Sequence, residues 1–275
     1  MSEPGPAGRL VIIPTPIGDP DDITLRALRM LRDVDELYAE DTRVTADLLR
    51  TLGIARSTRS CHDHNEEARA DEILAHLHAG RSVGLVSDAG TPLISDPGFR
   101  VVARARAAGF TVDVLPGACA LIAALVGSGL PTDQFAFGGF LPAGEAALRA
   151  QLATLAGFDG TLIFYESPRR LAETLRIIAA IWPERAVVVA RNLTKAHEQW
   201  ISGRASAALQ QLGAETRGEV VLLVGRGETV TIDADARIRA LLAEGIDARR
   251  VRDVVAAETG LPRREIYARV MALRA

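Results

Sequence analysis

Short apolar runs of strand length alternate with segments of helical period along most of this chain, and this alternation restricts its fold most strongly. Seven runs have the near-continuous apolar character of buried strands: RLVIIPT (9–15), ELYAE (36–40), SVGLVS (82–87), TVDVLP (111–116), TLIFYE (161–166), AVVVAR (186–191) and EVVLLVG (219–225). Helical patterns lie near residues 24–32, 45–52, 66–79, 99–108, 118–128, 145–155 and 169–181. Such strands alternating with helices predict an α/β fold with buried sheets.

The chain is predicted to form two α/β domains and a small helical extension. Pro and Gly interrupt the pattern at FLPAGE (140–145), which places a boundary between residues 9–139 and residues 140–228. No strand pattern follows Asp233, and three helices are predicted near 234–243, 248–258 and 263–273. From Ala234 onward the chain holds nine arginines and six acids, a net charge of +3, against −3 for the whole. The extension at 233–275 is therefore expected to be basic.

Composition argues against several classes of protein. Two cysteines, Cys61 and Cys119, provide neither a disulfide framework nor a cysteine-based zinc site. The longest apolar run, Ala118–Leu130, is too short to span a bilayer, and the first residues lack the form of a signal peptide. We therefore expect a cytoplasmic protein. The overall charge gives no general attraction to nucleic acid, although a local basic patch is compatible with it.

The segments that follow the predicted strands are the first place to look for a ligand, because open α/β sheets bind ligands beyond the carboxyl ends of their strands. One of them, SDAGTPLISDPG (Ser87–Gly98, the long loop), holds far more Gly, Pro and Asp than a turn requires. Its small residues allow a ligand to approach the backbone, and its carboxylates suit hydroxyls or a cation. The chain has no G-x-x-x-x-G-K-[ST], G-x-G-x-x-G or G-x-S-x-G motif, which disfavours the common nucleotide and hydrolase sites.

Two polar clusters in the first half allow more than one interpretation. His62 and His64 in SCHDHNE can share a face and bind a metal, but a third ligand at a convincing spacing is missing. Substrate contact by these histidines, or helix capping by Asn65, is favoured over a metal site. In AEDTR, Asp41 and Arg43 either fix a turn as an ion pair or hold the hydroxyl and phosphate of a substrate.

The second half contributes two further clusters. FYESPRR places Glu166 at a strand end and Arg169 and Arg170 in the first turn of a helix. Cations are unfavourable at that end of a helix, so an anionic partner such as an RNA phosphate is attractive. RNLTK contains Arg191 and Lys195, and Lys195 is the only lysine beside 31 arginines. Lysine, unlike arginine, can lose its proton when buried.

Together these segments resemble the tetrapyrrole methylase superfamily, whose members use S-adenosylmethionine (SAM) without the usual Rossmann fold. PTPIGDPDDITLRAL, VDELYAEDTRVT, SCHDHNE, GLVSDAGTPLISDPG, LPGACALIAAL, SGLPTDQFAFGGFLP, IFYESPRRL, RNLTK and GEVVLLVG match in order from about Leu10 to Gly225. EDTR, SDAGTPLISDPG and FYESP together are specific to the ribosomal RNA branch, and the helical extension also resembles that branch. The resemblance implies a homodimer of two-domain protomers with SAM in the cleft between the domains.

The resemblance also implies residue roles and a reaction. The SAM contacts map onto Pro16, Ile17, Gly18, Ala89, Gly90, Thr91, Ile94, Cys119, Ala120, Tyr165 and Glu166. The implied reaction methylates the ribose 2′-oxygen of a cytidine in the decoding region of small-subunit (16S) rRNA. Asn192 stands where the branch usually has Glu before LTK, which removes a carboxylate beside Lys195. Asp19 and Arg169 also depart from the pattern, where Asn and His are common.

The identity of the catalytic group stays open at this stage. Lys195 is a candidate base if burial and the neighbouring Arg191 and Arg170 favour its neutral form, and it is equally suited to stabilise an alkoxide or hold a phosphate. Glu166 and Asp41 are rival bases, and we expect Lys195 and Glu166 to lie near the reacting hydroxyl. Candidate RNA contacts are Arg43, His62, His64, Arg169, Arg170, Arg191 and the basic extension. The alternatives are a porphyrin or corrinoid methylase and a non-catalytic SAM-binding ribosome-assembly module.

Overall fold

The structure, a computed structural model, describes residues 8–213, 217–227, 233–259 and 261–274. The chain forms two compact units, Met1–Gly227 and Glu228–Ala275. The first unit contains two five-stranded sheets, and the second contains helices α9–α11, whose bounds are given below. The α/β fold class is confirmed.

The first sheet is entirely parallel, with the strand order β3-β2-β4-β1-β5. Its strands are β1 (Arg9–Ile12), β2 (Glu36–Ala39), β3 (Arg59–Ser60), β4 (Ser82–Val86) and β5 (Thr111–Val114). Alternate side chains of the first run enter different cores, since Leu10 and Ile12 pack in one apolar cluster and Val11 and Ile13 in another. A strand buried on both faces needs an apolar side chain at every position, which explains the unbroken sequence pattern.

Four helices accompany this sheet: α1 (Leu25–Asp33), α2 (Thr42–Thr51), α3 (Glu66–His78) and α4 (Phe99–Ala107), whereas α5 (Ala120–Gly127) packs against the second sheet. Side-chain oxygens satisfy the first backbone N–H groups of two of them. Thr24 accepts a hydrogen bond from the N–H of Ala27, and Asp41 accepts one from the N–H of Arg43. Helix α3 begins directly after Asn65, as predicted, but the Asn65 side chain makes no capping bond to it.

The second sheet is mixed, with the order β6-β7-β10-β8-β9. It consists of β6 (Phe135–Phe140), β7 (Thr161–Glu166), β8 (Ala186–Arg191), β9 (Gln199–Arg204) and β10 (Val220–Val224), with helices α6 (Glu145–Leu155), α7 (Leu171–Ile181) and α8 (Ala205–Gln211). Strand β10 runs antiparallel to β7 and β8, and its register sets Val220 opposite Arg191. This register brings the segment before β10 next to the segment after β8.

Three strands and one helix were not predicted: β3, β6, β9 and α8. The FAFGGF segment forms β6, which pairs with β7, so the second sheet begins before the predicted boundary at residue 140. The register shift between Phe137 and Phe140 accommodates the two glycines at 138 and 139. The division into 9–139, 140–228 and 233–275 stays a prediction.

The second unit is built from α9 (Ala234–Ala243), α10 (Ala248–Thr259) and α11 (Arg263–Arg274), close to the three predicted helices. Ile238, Val251, Val255, Ile266 and Val270 are fully buried in its own small core. Asp233 caps α9 by accepting hydrogen bonds from two backbone N–H groups. Across the described residues of the chain, no helix is both long and apolar enough to cross a bilayer.

Candidate active site

A cavity of about 460 Å³ lies at the ends of the first-sheet strands and extends to β7 and β10 of the second sheet. Nine of the eleven predicted SAM contacts line it: Ile17, Ala89, Gly90, Thr91, Ile94, Cys119, Ala120, Tyr165 and Glu166. Pro16 and Gly18 belong to the same loop as Ile17 but do not line the cavity. The predicted residues therefore converge on one site, although they come from four separate segments of the chain.

Hydrogen bonds join the loops that form this cavity. The N–H of Thr15 donates to the carbonyl of Gly90 over 2.9 Å, and the N–H of Gly90 donates back over 3.1 Å. The Thr91 hydroxyl donates to the carbonyl of Ala118 over 2.9 Å. The loop after β1, the long loop and the segment before α5 are thus held as one wall.

The long loop has an unusual backbone. Gly90, Leu93, Ser95 and Gly98 all have positive φ, which costs energy for the two residues that are not glycine. A Cβ at Gly90 would lie 3.2 Å from Ile17, so a larger residue would narrow the cavity as well as strain the backbone. Backbone strain of this kind persists where the surroundings enforce it, commonly at functional sites.

Glu66 anchors the far end of the long loop. Its buried carboxylate accepts hydrogen bonds from the N–H groups of Gly98, over 3.0 Å, and Arg100, over 2.8 Å. Glu66, the last residue of the SCHDHNE segment, therefore holds the end of the long loop in place. Sequence reasoning missed this role because Glu66 and Gly98 are distant in the chain.

Five acids line this cavity, which we call the acidic cavity: Glu166 and Glu219 from the second sheet, and three, Glu40, Asp88 and Asp96, from the loops of the first. Burial, together with the nearby negative charges of Glu40 and Asp88, raises the pKa of Asp96 to about 7. Burial also raises the pKa of Glu40 and of Asp88. Sequence analysis pointed to the carboxylates of the long loop as a group but singled out none of these three. Glu40 lies far from Asp88 and Asp96 in the sequence, and only the fold brings the three side chains to one cavity.

Glu166 lines the acidic cavity but is fully engaged by its own neighbours. Its carboxylate accepts hydrogen bonds from the N–H of Ser167 over 2.6 Å and from the Thr174 hydroxyl over 2.7 Å. It also forms an ion pair with Arg170 over 2.7 Å. The prediction of Glu166 as a base does not agree with this geometry. Likewise, the cation at the start of α7 is balanced by Glu166, so an external phosphate is not needed to explain Arg170.

Asp41 is also a poor candidate for a base. The Arg43 guanidinium lies 2.6 Å from its carboxylate and, with the N–H of Arg43, lowers the pKa of Asp41 to about 2. The Arg43 side chain is 88% exposed, and neither residue lines a cavity described here. The turn-fixing interpretation of this pair is the one that the geometry supports.

A second cavity, of about 520 Å³, is lined by Arg191, Lys195, His197 and Arg217, and we call it the basic cavity. The Lys195 ammonium pairs with Glu219 over 3.0 Å, and its side chain is 37% exposed. Lys195 and Glu166 line different cavities, and their expected closeness to the reacting hydroxyl stays a prediction. An exposed, ion-paired ammonium is suited to carry charge rather than to accept a proton.

Asn192 does not leave Lys195 without a carboxylate. Its own N–H donates to the carbonyl of Glu219 over 3.0 Å, and its side-chain oxygen accepts from the N–H of Glu219 over 3.2 Å. Asn192 has a φ of 52°, which Asn tolerates better than most residues. The acid for Lys195 thus comes from the start of β10, and Asn192 fixes its position.

The two halves of the first unit touch at Gly18. A Cβ there would lie 2.5 Å from the Thr194 hydroxyl and 2.7 Å from the carbonyl of Leu193, so only glycine fits. The N–H of Asp19 donates to the Thr194 hydroxyl over 3.0 Å. The loop after β1 is therefore fastened to the loop that carries Lys195.

The remaining predicted substrate contacts, His62, His64 and Arg169, line neither cavity. The His62 ring lies against the Asn65 amide at 3.2 Å, and Asn65 also accepts a hydrogen bond from the N–H of His62 over 2.8 Å. Among the residues that the structure describes, no group of three or more His, Cys, Asp or Glu is placed to hold a metal.

Solved structures with the same fold define the class. Diphthine synthase matches with a TM-score of 0.64 and 14% identity, covering 79% of this chain and 90% of that one. The uroporphyrin-III C-methyl transferase from Thermus thermophilus complexed with S-adenyl homocysteine matches with a TM-score of 0.55 and 22% identity, covering 79% and 97%. These likenesses establish the fold as that of the non-Rossmann methyltransferases.

Sequence comparison gives the family. The model of the tetrapyrrole (corrin/porphyrin) methylases matches residues 9–209. Proteins named ribosomal RNA small subunit methyltransferase I are 45% identical over 96% of this chain and 87% of the relative in Micromonospora olivasterospora, and 44% identical over 97% and 99% in Xylella fastidiosa. This chain therefore belongs to the tetrapyrrole methylase family, within the ribosomal RNA small subunit methyltransferase I group, and is a SAM-dependent methyltransferase.

Proposed function

We propose that this protein transfers the methyl group of SAM to the ribose 2′-oxygen of a cytidine in the decoding region of small-subunit (16S) rRNA. The observation that carries the proposal is the 45% identity, over 96% of this chain, to a protein named ribosomal RNA small subunit methyltransferase I. The cytidine, the 2′-oxygen and the decoding region follow from the resemblance of EDTR, SDAGTPLISDPG and FYESP to the RNA branch. An rRNA substrate implies a cytoplasmic location.

The acidic cavity has the size and charge that SAM requires. Its volume of about 460 Å³ falls within the range of about 300–1,000 Å³ usual for small-molecule sites. SAM carries a positive sulfonium and an ammonium, and Glu40, Asp88 and Asp96 supply compensating negative charge. Bound SAM supplies an electrophilic methyl group. The predicted contacts from Ile17 to Glu166 that line the cavity are the residues that we expect to hold it.

In the transfer the sulfonium C–S bond of SAM breaks, its sulfur leaves as a neutral thioether, and the hydroxyl proton passes to water, so the protein must orient the ribose hydroxyl and stabilise its oxygen as the proton leaves. Of the three predicted catalytic residues, Glu166 and Asp41 are occupied by Arg170 and Arg43. Lys195 lies in the basic cavity next to Glu219, a residue of the acidic cavity wall. We therefore assign Lys195 an electrostatic role toward the substrate.

The helical unit supplies a second surface for RNA. Salt bridges engage Arg237, Arg252, Arg263 and Arg269, whereas Arg249 and Arg250 are exposed at the start of α10. Exposed arginines of this kind bind phosphates and release counterions, so RNA binding should weaken steeply as salt increases. The exposed Arg169 is a further candidate in the first unit.

Homodimerisation is part of the proposal. Val114 on the edge strand β5 and Ile122 and Val126 on α5 are exposed, with Val126 at 74%. Exposed apolar side chains of this size favour an interface. Val126→Asp should convert a dimer into a monomer in light scattering, whereas Leu25→Asp, at a residue of 81% exposure on α1, should not. A monomeric wild type would contradict the dimer.

The transfer experiment tests the proposed reaction directly. Purified protein and isotopically labelled SAM are incubated with small subunits that lack the modification, with naked rRNA and with a porphyrinogen. Mass spectrometry of nuclease digests should locate the label on the ribose of one decoding-region cytidine. Label on the porphyrinogen would support the tetrapyrrole methylase instead, and SAM binding without any transfer would support a non-catalytic assembly module.

A further inference from the structure

Phe140 is an exposed aromatic residue at the acidic cavity. It is the last residue of β6, an edge strand of the second sheet, and it lines the cavity although it is 59% exposed. Single exposed apolar side chains are common on protein surfaces, so exposure alone says little. The informative feature is that this ring stands in the wall of the cavity that also gathers the predicted SAM contacts.

An irregularity in β6 brings the Phe140 ring to this wall. Phe137 and Phe140 are three residues apart, so in a regular strand their side chains would point to opposite faces of the sheet. The register shift between them removes this alternation, and Gly139, with a φ of 66°, supplies the backbone conformation. Both rings therefore contact Tyr165, with centroid distances of 4.8 Å from Phe137 and 5.5 Å from Phe140.

Neighbouring contacts fix the position of Phe140. Its ring meets the half-buried Tyr165 edge to face, at an interplanar angle of 64°, which covers at most one face of the Phe140 ring. The N–H of Leu141 donates to the carbonyl of Tyr165 over 3.3 Å, and the Arg170 guanidinium donates to the carbonyl of Leu141 over 3.0 Å. Arg170 is itself paired with Glu166. A ring that is positioned in advance loses little entropy when a ligand stacks on it.

A nucleobase is the ligand that suits this ring. Unstacked RNA bases are commonly bound by stacking on aromatic side chains. A ribose must enter the acidic cavity for its 2′-oxygen to reach the methyl group of SAM, and its base is bonded directly to that ribose. The adenine of SAM is the competing planar group, but a small-molecule site buries about 70–90% of its ligand. Because Phe140 is 59% exposed, it lies at the rim, where the incoming nucleotide covers it.

We infer that Phe140 stacks on the base of the nucleotide whose ribose is methylated. This inference rests on the proposed function. An enzyme that acts on one nucleotide must take it out of the base stack, and an aromatic ring offsets part of the stacking that is lost. Because every base has a planar face, this contact holds the nucleotide in place without selecting its identity.

Steady-state methylation of small subunits that lack the modification tests this contact. Phe140→Ala should raise the KM for subunits about ten-fold, because one base–aromatic stack is lost. The KM for SAM should stay within about two-fold, because the ring serves the other substrate. The slope of log(1/KM) against log salt should be unchanged, since a stacking contact, unlike a phosphate contact, releases no counterions.

Three variants serve as controls. Phe135→Ala removes another exposed aromatic residue, at the opposite end of β6, which lines neither cavity, and it should change neither KM. Phe140→Tyr keeps the ring and should retain the wild-type KM for subunits within about two-fold. Phe140→Leu keeps an apolar side chain without a flat face and should behave like Phe140→Ala. Circular dichroism of each variant establishes that the fold is retained.

A Phe140→Ala enzyme with the wild-type KM for subunits would overturn the stacking contact while the proposed reaction stands. A rise in the KM for SAM would assign the ring to the cofactor, and a wild-type KM in Phe140→Leu would reduce the ring to a general apolar contact; both results overturn the inference. A wild-type protein that methylates neither subunits nor rRNA would overturn the proposed function, and the inference with it. The wild-type reaction therefore tells the two failures apart.

Discussion

The acidic and basic cavities meet at Gly218, yet acids predominate among the ionisable residues of one wall and basic residues among those of the other. The parallel first sheet gathers Glu40 and Asp88 at the ends of β2 and β4, and the long loop adds Asp96. The antiparallel pairing of β8 and β10 instead brings together Arg191, Lys195 and Arg217. The contrast teaches that the topology of a sheet decides which side chains meet: parallel strand ends bring acids together, and the antiparallel pair brings basic residues together.

The two cavities also share a feature. Among the described residues, the four non-glycine residues with positive φ are Leu93, Ser95, Asn192 and Thr194. The first two lie in the long loop at the acidic cavity, and the other two lie in the loop that carries Lys195. Strained backbone is thus confined to the loops that form the candidate site, which agrees with a functional demand on both.

The largest expected effect comes from breaking the contact that holds both loops together. Gly18→Ala places a Cβ 2.5 Å from the Thr194 hydroxyl and 2.7 Å from the carbonyl of Leu193, so the two loops must separate. We expect kcat/KM for methyl transfer to fall roughly ten- to a hundred-fold, the cost of overpacking. The matched control is Gly157→Ala, since a Cβ at Gly157 meets nothing within 4 Å. Wild-type activity in Gly18→Ala would show that the contact is dispensable.

The next effect concerns the charge of the acidic cavity. Because the pKa of Asp96 is raised to about 7, its carboxyl group is mostly neutral at about pH 6 and mostly ionised at about pH 8. The ionised form attracts a cation, so SAM affinity measured by calorimetry should increase as the pH rises across this range. Asp96→Asn should weaken SAM binding about ten-fold at the upper end and remove most of the pH dependence.

The exposed Asp47→Asn variant is the control for Asp96, because its carboxylate pairs with Arg50 on α2, away from both cavities. Its SAM affinity should follow the wild-type pH profile. A wild-type affinity that is independent of pH, or one that falls as the pH rises, would contradict the role given to Asp96.

The smallest effect is expected at Lys195. If this residue contributes charge, as its pairing with Glu219 indicates, Lys195→Arg should retain kcat within about five-fold. Lys195→Met removes the charge and should raise the KM for small subunits instead. Turnover of the two variants under single-turnover conditions distinguishes these outcomes. A loss of about a hundred-fold or more in Lys195→Arg would indicate that the residue accepts a proton, because arginine stays protonated.

Much of the fold could be predicted because the sequence pattern and the tertiary environment agree. Buried strands such as β4 and amphipathic helices such as α1 follow the expected periods closely. The strands that escaped prediction depend on neighbours: β3 has two residues, β6 contains a glycine pair, and β9 begins in a polar loop. Their strand conformation comes from pairing with β2, β7 and β8 rather than from their own composition.

The candidate site was less predictable, because its partnerships are set by register. Glu219 reaches Lys195 only because β10 pairs with β8 so that Val220 faces Arg191. Glu166 looked free in the sequence, yet the first turns of α7 bring Arg170 and Thr174 to its carboxylate. The sequence motifs identified the loops that form the candidate site, but the ion-pair partners of Glu166 and Lys195 could be identified only from the structure.

The most direct test of the account measures both substrates in two variants, one from each cavity. We predict that Asp96→Asn raises the KM for SAM about ten-fold and leaves the KM for small subunits unchanged, whereas Lys195→Met raises the KM for small subunits and leaves the KM for SAM unchanged. In the double variant the two effects should add in free energy, because the residues act on different ligands. If either variant raised both KM values by the same factor, the assignment of Asp96 to the cofactor and of Lys195 to the RNA substrate would be contradicted.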